Sequence, residues 1–115
     1  MMSDCIFCKI INGDIPADII YQDDDVLAFR DLSPQAPVHF LVIPKKHIST
    51  INDVQVEDAA LIGKLFLAAK MVAKQELMDE SGYRCVMNCN DDGGQTVHHI
   101  HLHVLGKRQM TWPPG

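Results

Sequence analysis

No apolar run in this chain approaches the length of about eighteen residues that a membrane-spanning helix needs, so no segment reads as a span. Long basic runs are missing too. The ten Lys and Arg residues are scattered among fifteen Asp and Glu, leaving a formal charge of −5. Nucleic acid held by phosphate neutralisation is therefore not an expected partner, although Lys45-Lys46 could steer one small anion. Internal repeats and low-complexity tracts are absent, which excludes solenoids and flexible arrays. The opening stretch MMSDCIFCKIING carries Asp4 and Lys9 within a short apolar run and does not read as a secretory signal. Without such a signal, Cys5, Cys8, Cys85 and Cys89 read as reduced thiols, and we expect a cytoplasmic protein.

What is present is a globular chain of 115 residues, 47% hydrophobic and 22% charged, enough for a single domain over residues 1–115. A short helical turn in CKIINGDIP ends near Asn12-Gly13. Alternating and β-branched runs predict strands at Ile19–Gln22, Val26–Arg30, His39–Ile43, Tyr83–Asn88 and His99–Gly106. Between the third and fourth strands the period changes. Leu61, Leu65, Ala68 and Val72 share one helical face, with Ile62, Phe66, Ala69 and Ala73 beside them. This predicts a helix of about six turns over Val54–Met78, started by Asn52 or Asp53 and stopped by Ser81-Gly82. The fold class is α+β: a five-stranded antiparallel sheet with one long helix and a short N-terminal helix. The tail RQMTWPPG is apolar and proline-rich, which suits docking against a neighbour.

Four of the six histidines fall in GGQTVHHIHLHVLG, Gly93 to Gly106. In a strand, His99, His101 and His103 share one face, Ile100, Leu102 and Val104 the other, and His98 points away from the three. At a strand's rise the outer two lie about 13 Å apart. A tetrahedral zinc holds nitrogens at about 2.0–2.1 Å, so three rings in such a row do not converge on one ion. Phosphoryl chemistry fits better. Gly93 and Gly94 allow a backbone nest for an anion, and a neutral imidazole near its usual pKa of about 6.5 is a nucleophile at neutral pH.

The motif H-x-H-x-H after a Gly-Gly turn resembles the signature of the histidine-triad (HIT) superfamily, and within it the Hint branch of nucleotide-binding phosphoramidases. IFCKIINGDIPADIIYQDD, LAFRDLSPQAPVHFLVIPKKHIS and RQMTWPP carry the likeness across essentially the whole chain. The resemblance implies that His101 attacks the α-phosphorus of a purine nucleoside 5′-phosphoramidate, such as adenosine 5′-monophosphoramidate or an aminoacyl- or lysyl-AMP. A nucleotidyl-histidine would form, and water would release AMP or GMP. His103 would contact the phosphate, His99 and His39 would orient the rings, and Thr96 would stand near the leaving group. Asn88, Gly94 and Gln95 would complete the phosphate site. Asp31 would take the ribose hydroxyls. Ile6, Phe7, Ile10, Phe29 and Leu32 would line the base slot, with Arg30 at its rim; for Leu32 and Ile15, ordinary packing is the open alternative.

Cys5-x-x-Cys8 is half a metal site by spacing. In several members of the superfamily such a pair joins two histidines around structural zinc, and the matching positions here are His47 and His99. No cofactor is required by the chemistry; the cysteines are otherwise small residues near the surface. The resemblance further implies a homodimer with joined sheets, the tail 107–115 and Trp112 lying at the contact. Two other functions stay open from the sequence. One is a dinucleoside polyphosphate hydrolase; the other is a nucleotide-binding regulatory protein with incidental turnover.

Overall fold

The computed structural model describes residues 4–115; Met1, Met2 and Ser3, part of the stretch read above for an export signal, lie outside the described residues. Five strands pair antiparallel: β1 (Ile19–Gln22), β2 (Val26–Arg30), β3 (Val38–Pro44), β4 (Tyr83–Val86) and β5 (Leu102–Gly106). Their spatial order is β1-β2-β3-β5-β4. Short connections make the β1–β2 and β2–β3 hairpins, and Asp23 closes the first by accepting the Asp25 and Val26 N–H groups at 2.8 and 2.9 Å. After β3 a helical crossover carries the chain to the far edge, where β4 is laid down. The place beside β3 is left for β5, which brings His39 and His103 together.

Alternation decides the two layers. Val26, Ala28, Phe40, Val42, Leu102 and Val104 face helix α2 (Ala59–Gln75) and pack with its Leu65, Ala68, Ala69, Val72 and Ala73. The intervening Leu27, Phe29, Leu41 and Ile43 face the other way, against Phe7 and Ile10 of helix α1 (Ile6–Asn12). His39 precedes Leu41 by two, so it belongs to this second face. On β5, His103 stands opposite Leu41 and is thus diagonal to His39.

The helix is shorter than its apolar pattern predicts. Thr50 and Asp53 cap a first 3-10 turn (Ile51–Asp53), and Asp58 closes a second (Val56–Asp58) by accepting the Gln55 N–H at 2.9 Å. The polar residues expected to start α2 are used by these turns instead. Its far end comes before Ser81-Gly82, because Leu77 takes a left-handed conformation at φ 59°. Phe66, expected beside the core stripe, is half exposed.

The regular part of β5 also starts later than expected. Ile100 donates its N–H to the Ile48 carbonyl at 2.8 Å, so this residue is bonded to the loop after β3 and the ladder begins at Leu102. Alternation nevertheless persists through the irregular part: Ile100 is buried in the helix-side core, and His99 and His101 face α1.

Candidate active site

The three alternating histidines have three different sets of neighbours. His99 is fully buried, and its Nδ1 lies 3.4 Å from Cys5 Sγ, 3.6 Å from Cys8 Sγ and 3.2 Å from His47 Nδ1. His101 sits under the edge of Phe7 at a centroid distance of 5.1 Å and beside His103 at 5.0 Å. His103 reaches the β3 side, with its Nδ1 3.0 Å from His39 Nε2. Asp31 closes that end: one carboxylate oxygen lies 3.4 Å from His39 Nε2, and the other accepts the Ser33 N–H at 2.8 Å.

Burial keeps these rings neutral. Desolvation pushes His103 and His99 down to about 4 from the ordinary 6.5, with like-charge neighbours adding to it. His39 and His101 are lowered too, again mainly by desolvation, against the opposing pull of Asp31. A neutral imidazole has one donor and one acceptor nitrogen, so the fixed backbone partners assign the tautomers. The Gln35 N–H donates to His39 Nδ1 at 3.0 Å, so the His39 proton is on Nε2 and points at His103 Nδ1. His103 therefore carries its proton on Nε2. His101 donates Nδ1–H to the His99 carbonyl at 2.8 Å, which leaves its Nε2 with a free lone pair. Side by side stand a bare nitrogen on His101 and a donor on His103. That pair can attack an electrophile and hold its oxygen.

At the other end His99 donates Nε2–H to the Pro44 carbonyl at 2.8 Å, leaving Nδ1 bare among the sulfurs. Cys5, Cys8, His47 and His99 bring one ligand atom each within 4.8 Å of one another. A tetrahedral zinc with its usual bond lengths separates nitrogen from nitrogen by about 3.3 Å and nitrogen from sulfur by about 3.5 Å. The separations of 3.2, 3.4 and 3.6 Å fit that geometry. Ser49 Oγ at 3.3 Å from His47 Nε2 supplies the outer hydrogen bond that metal-binding histidines usually have. Burial and the nearby Cys5 raise the Cys8 thiol to about 11, and a bound dication would reverse this by taking the thiolate. The residues fit a zinc-type ion held by this chain alone.

The glycine loop before the histidines is a short helix α3 (Asn90–Gly93) followed by Gly94 at φ 80°, a conformation in which a side chain is strained. Thr96 is exposed and, with Ile6, Ser49, His47 and His98, lines a cavity of about 450 Å³ beside the start of α1. A larger cavity of about 540 Å³, between Ser81–Arg84 and Lys107–Met110, lies off the histidine face and includes none of these residues.

Comparison with known proteins settles the family. The HIT domain model matches residues 12–110. The chain belongs to the HIT family. This HIT chain is 55% identical over 115 residues to an uncharacterised HIT-like protein of Synechococcus elongatus, covering 100% of both. It is 52% identical over 110 residues to the purine nucleoside phosphoramidase of Escherichia coli, covering 96% of this chain and 92% of that one. The crystal structure of a HIT family hydrolase from Legionella pneumophila superposes with a TM-score of 0.96 at 57% identity, covering 97% of this chain and 100% of that one.

Within the HIT chain several expected contacts are rearranged. Arg30 is not at the rim of the base slot: alternation on β2 turns it to the helix side, where it pairs in a fork with Glu76 at 3.0 and 3.1 Å. Gln95 does not offer its side chain to phosphate. Its amide nitrogen donates to the Ser49 and Val97 carbonyls at 2.7 and 3.0 Å, and its oxygen accepts the Asn90 N–H at 2.9 Å. It clamps the glycine loop instead. Leu32 is 99% exposed, so it is no enclosing wall but a bare apolar surface next to Asp31. Ile6 is also exposed, whereas Phe7, Ile10 and Phe29 are buried and present edges only. Asn88 is half-buried and His98 is exposed. The groups that sequence reasoning missed are main-chain atoms: Gln35 N–H, the Pro44 carbonyl and the His99 carbonyl. No side-chain motif signals them.

Proposed function

We propose that the chain cleaves the P–N bond of purine nucleoside 5′-phosphoramidates through a covalent nucleotidyl-histidine at His101. The observation that carries this reading is the tautomer pattern, a free Nε2 lone pair on His101 beside the Nε2–H of His103. Nε2 of His101 attacks the α-phosphorus, and the N–P bond to the amine breaks as the amine takes a proton from solvent, a proton that the attacking water of the second step gives back. The positive charge that develops on His101 is stabilised through its Nδ1–H bond to the His99 carbonyl. His103 donates to a phosphoryl oxygen, and Thr96, Gly94 and Asn88 complete that cradle. Water then attacks phosphorus, the P–N bond to His101 breaks, and AMP or GMP leaves. Asp31 takes the ribose hydroxyls, and Leu32 and Ile6 flank the base, with Phe7, Ile10 and Phe29 behind them. The similarity to the E. coli phosphoramidase supports the choice of substrate class.

The same reading takes the chain as one HIT domain over residues 1–115 acting as a homodimer. β4 is an edge strand, Leu67 and Phe66 of α2 are exposed, and Trp112 on the C-terminal tail is 81% exposed. No helix among the described residues is long and apolar enough to cross a membrane, and the four cysteines are free, which fits a reducing, cytoplasmic setting. A zinc-type ion at Cys5, Cys8, His47 and His99 would tie α1 to the histidine segment and would take no part in bond breaking itself.

Offering adenosine 5′-phosphoramidate and a diadenosine polyphosphate to the pure protein tests the function. The expected result is a higher kcat/KM on the P–N substrate, with activity lost in His101→Ala. Preference for the P–O–P bond would overturn it.

A further inference from the structure

His99 belongs to two arrangements at once. Its ring is enclosed by Cys5, Cys8 and His47 and anchored to the Pro44 carbonyl at 2.8 Å. Its own main-chain carbonyl accepts the Nδ1–H of His101, also at 2.8 Å. That second bond is what leaves His101 Nε2 free to attack. It is only as well fixed as the backbone of residue 99, and this backbone lies outside the ladder: regular pairing of β5 begins at Leu102. The nearest main-chain tie is Ile100 N–H to Ile48. What holds residue 99 is therefore largely its side chain.

Helix α1 strengthens the link. It is a seven-residue helix, too short to be stable on its own. Cys5 at its N-cap and Cys8 within it supply half of the donor set, and Phe7 between them packs edge-on against both His99 and His101, at 5.9 and 5.1 Å. Pulling α1 away would release the ring of His99 and uncover the ring of His101 together.

We propose that Cys5, Cys8 and His47, gathered with His99 around a zinc-type divalent ion, are positioning residues for the reaction. By gripping the His99 ring they hold the carbonyl that keeps His101 in its Nδ1–H tautomer. Without that grip the carbonyl shifts, His101 exchanges its proton between its two nitrogens, and the fraction with Nε2–H is not a nucleophile. The kinetic consequence rests on His101 being the nucleophile, as proposed above; the tautomer consequence does not.

The test compares the zinc-loaded chain, the same chain stripped by a chelator and reloaded with Zn²⁺, and Cys8→Ser, with Cys85→Ser as a control outside the cluster. Five quantities are read: metal per chain by elemental analysis, the ring-nitrogen NMR shifts of His101, kcat and KM on adenosine 5′-phosphoramidate, and AMP affinity. Loss of outer-shell support around a site typically costs on the order of 10–100-fold. We expect kcat to fall by about that factor in the stripped chain and in Cys8→Ser. KM and AMP affinity should change less than kcat, since Asp31 and Leu32 lie outside α1 and only Ile6, Phe7 and Ile10 of the nucleoside side are carried on it. The His101 shifts should move from a single Nδ1–H form to an average of both tautomers, and both readouts should recover on adding Zn²⁺ to stripped wild type. Should Cys8→Ser fail to fold, the stripped and reloaded wild type decides. A purely structural role predicts lower thermal stability with the His101 shifts unmoved, and that result would overturn the proposal, as would failure of the wild type to bind zinc. If the loaded wild type does not cleave the phosphoramidate, the function reading falls, while the NMR shifts still decide the positioning role.

Discussion

His99 and His103 sit four residues apart on one face of the same segment, yet they do opposite things. Around His99 the partners are two sulfurs and a second imidazole, all offering lone pairs toward one point, and the ring is fully buried. Around His103 the partners form a line: Gln35 N–H to His39, then His39 N–H to His103, with Asp31 beside them. Converging lone pairs make a cation site. A directional chain of donors and acceptors hands a proton position along and ends on a free N–H. The difference comes from what faces each residue: α1 and the loop after β3 at one end, β3 itself at the other. Between them His101 takes its tautomer from the first group and its donor neighbour from the second.

The sharpest way to break this comparison is at its centre. His101→Ala is expected to lower turnover by on the order of 10⁴-fold or more, since it removes the attacking atom. AMP affinity, followed by titration, should change only a few-fold. Next is the donor end: His103→Ala should lower kcat by about 10²–10³-fold, the usual effect of losing one preorganised donor to a developing negative charge. Asp31→Ala should act mainly on KM, raising it by about 10–100-fold, because hydrogen bonds to a charged group contribute about 1.5–3 kcal/mol.

The pH dependence of stability separates the line from the sheet that carries it. His103 is held near 4 in the folded state, against 6.5 ordinarily. Between these values the unfolded chain binds a proton that the folded one refuses, so the stabilisation is present above 6.5 and is lost as pH falls toward about 4. Urea unfolding midpoints should fall over that window, and by less in His103→Gln. The smallest effect is expected on the helix side of the sheet. Glu76→Gln breaks the pair with Arg30, which is partly exposed, and should cost about 1 kcal/mol or less with kcat and KM unchanged.

The strands and the two-sided alternation were legible because period-2 patterning survives even where the ladder does not: Ile100 is buried on the helix side although β5 begins at Leu102. That three histidines in a row do not converge on one ion was legible for the same reason. Helix limits were less so. Asn52 and Asp53 read as start signals, and only tertiary packing chose two 3-10 turns before α2. Arg30 lies away from the base side because neighbouring strand residues alternate, and the resemblance alone does not show that. Gln95 was misread since nothing in the sequence shows that three main-chain groups from the loops at residues 49, 90 and 97 converge on one amide. The tautomers were illegible altogether, because main-chain atoms set them.

The central claim is that His101, with its free Nε2 lone pair beside His103, is the member of the triad that attacks phosphorus. Trapping the nucleotidyl adduct from adenosine 5′-phosphoramidate under acid quench and mapping it by peptide mass spectrometry tests that claim directly. The adduct is expected on the peptide containing Ile100 to Leu102, on His101; an adduct on His99 or His103, or turnover with none formed, would contradict it.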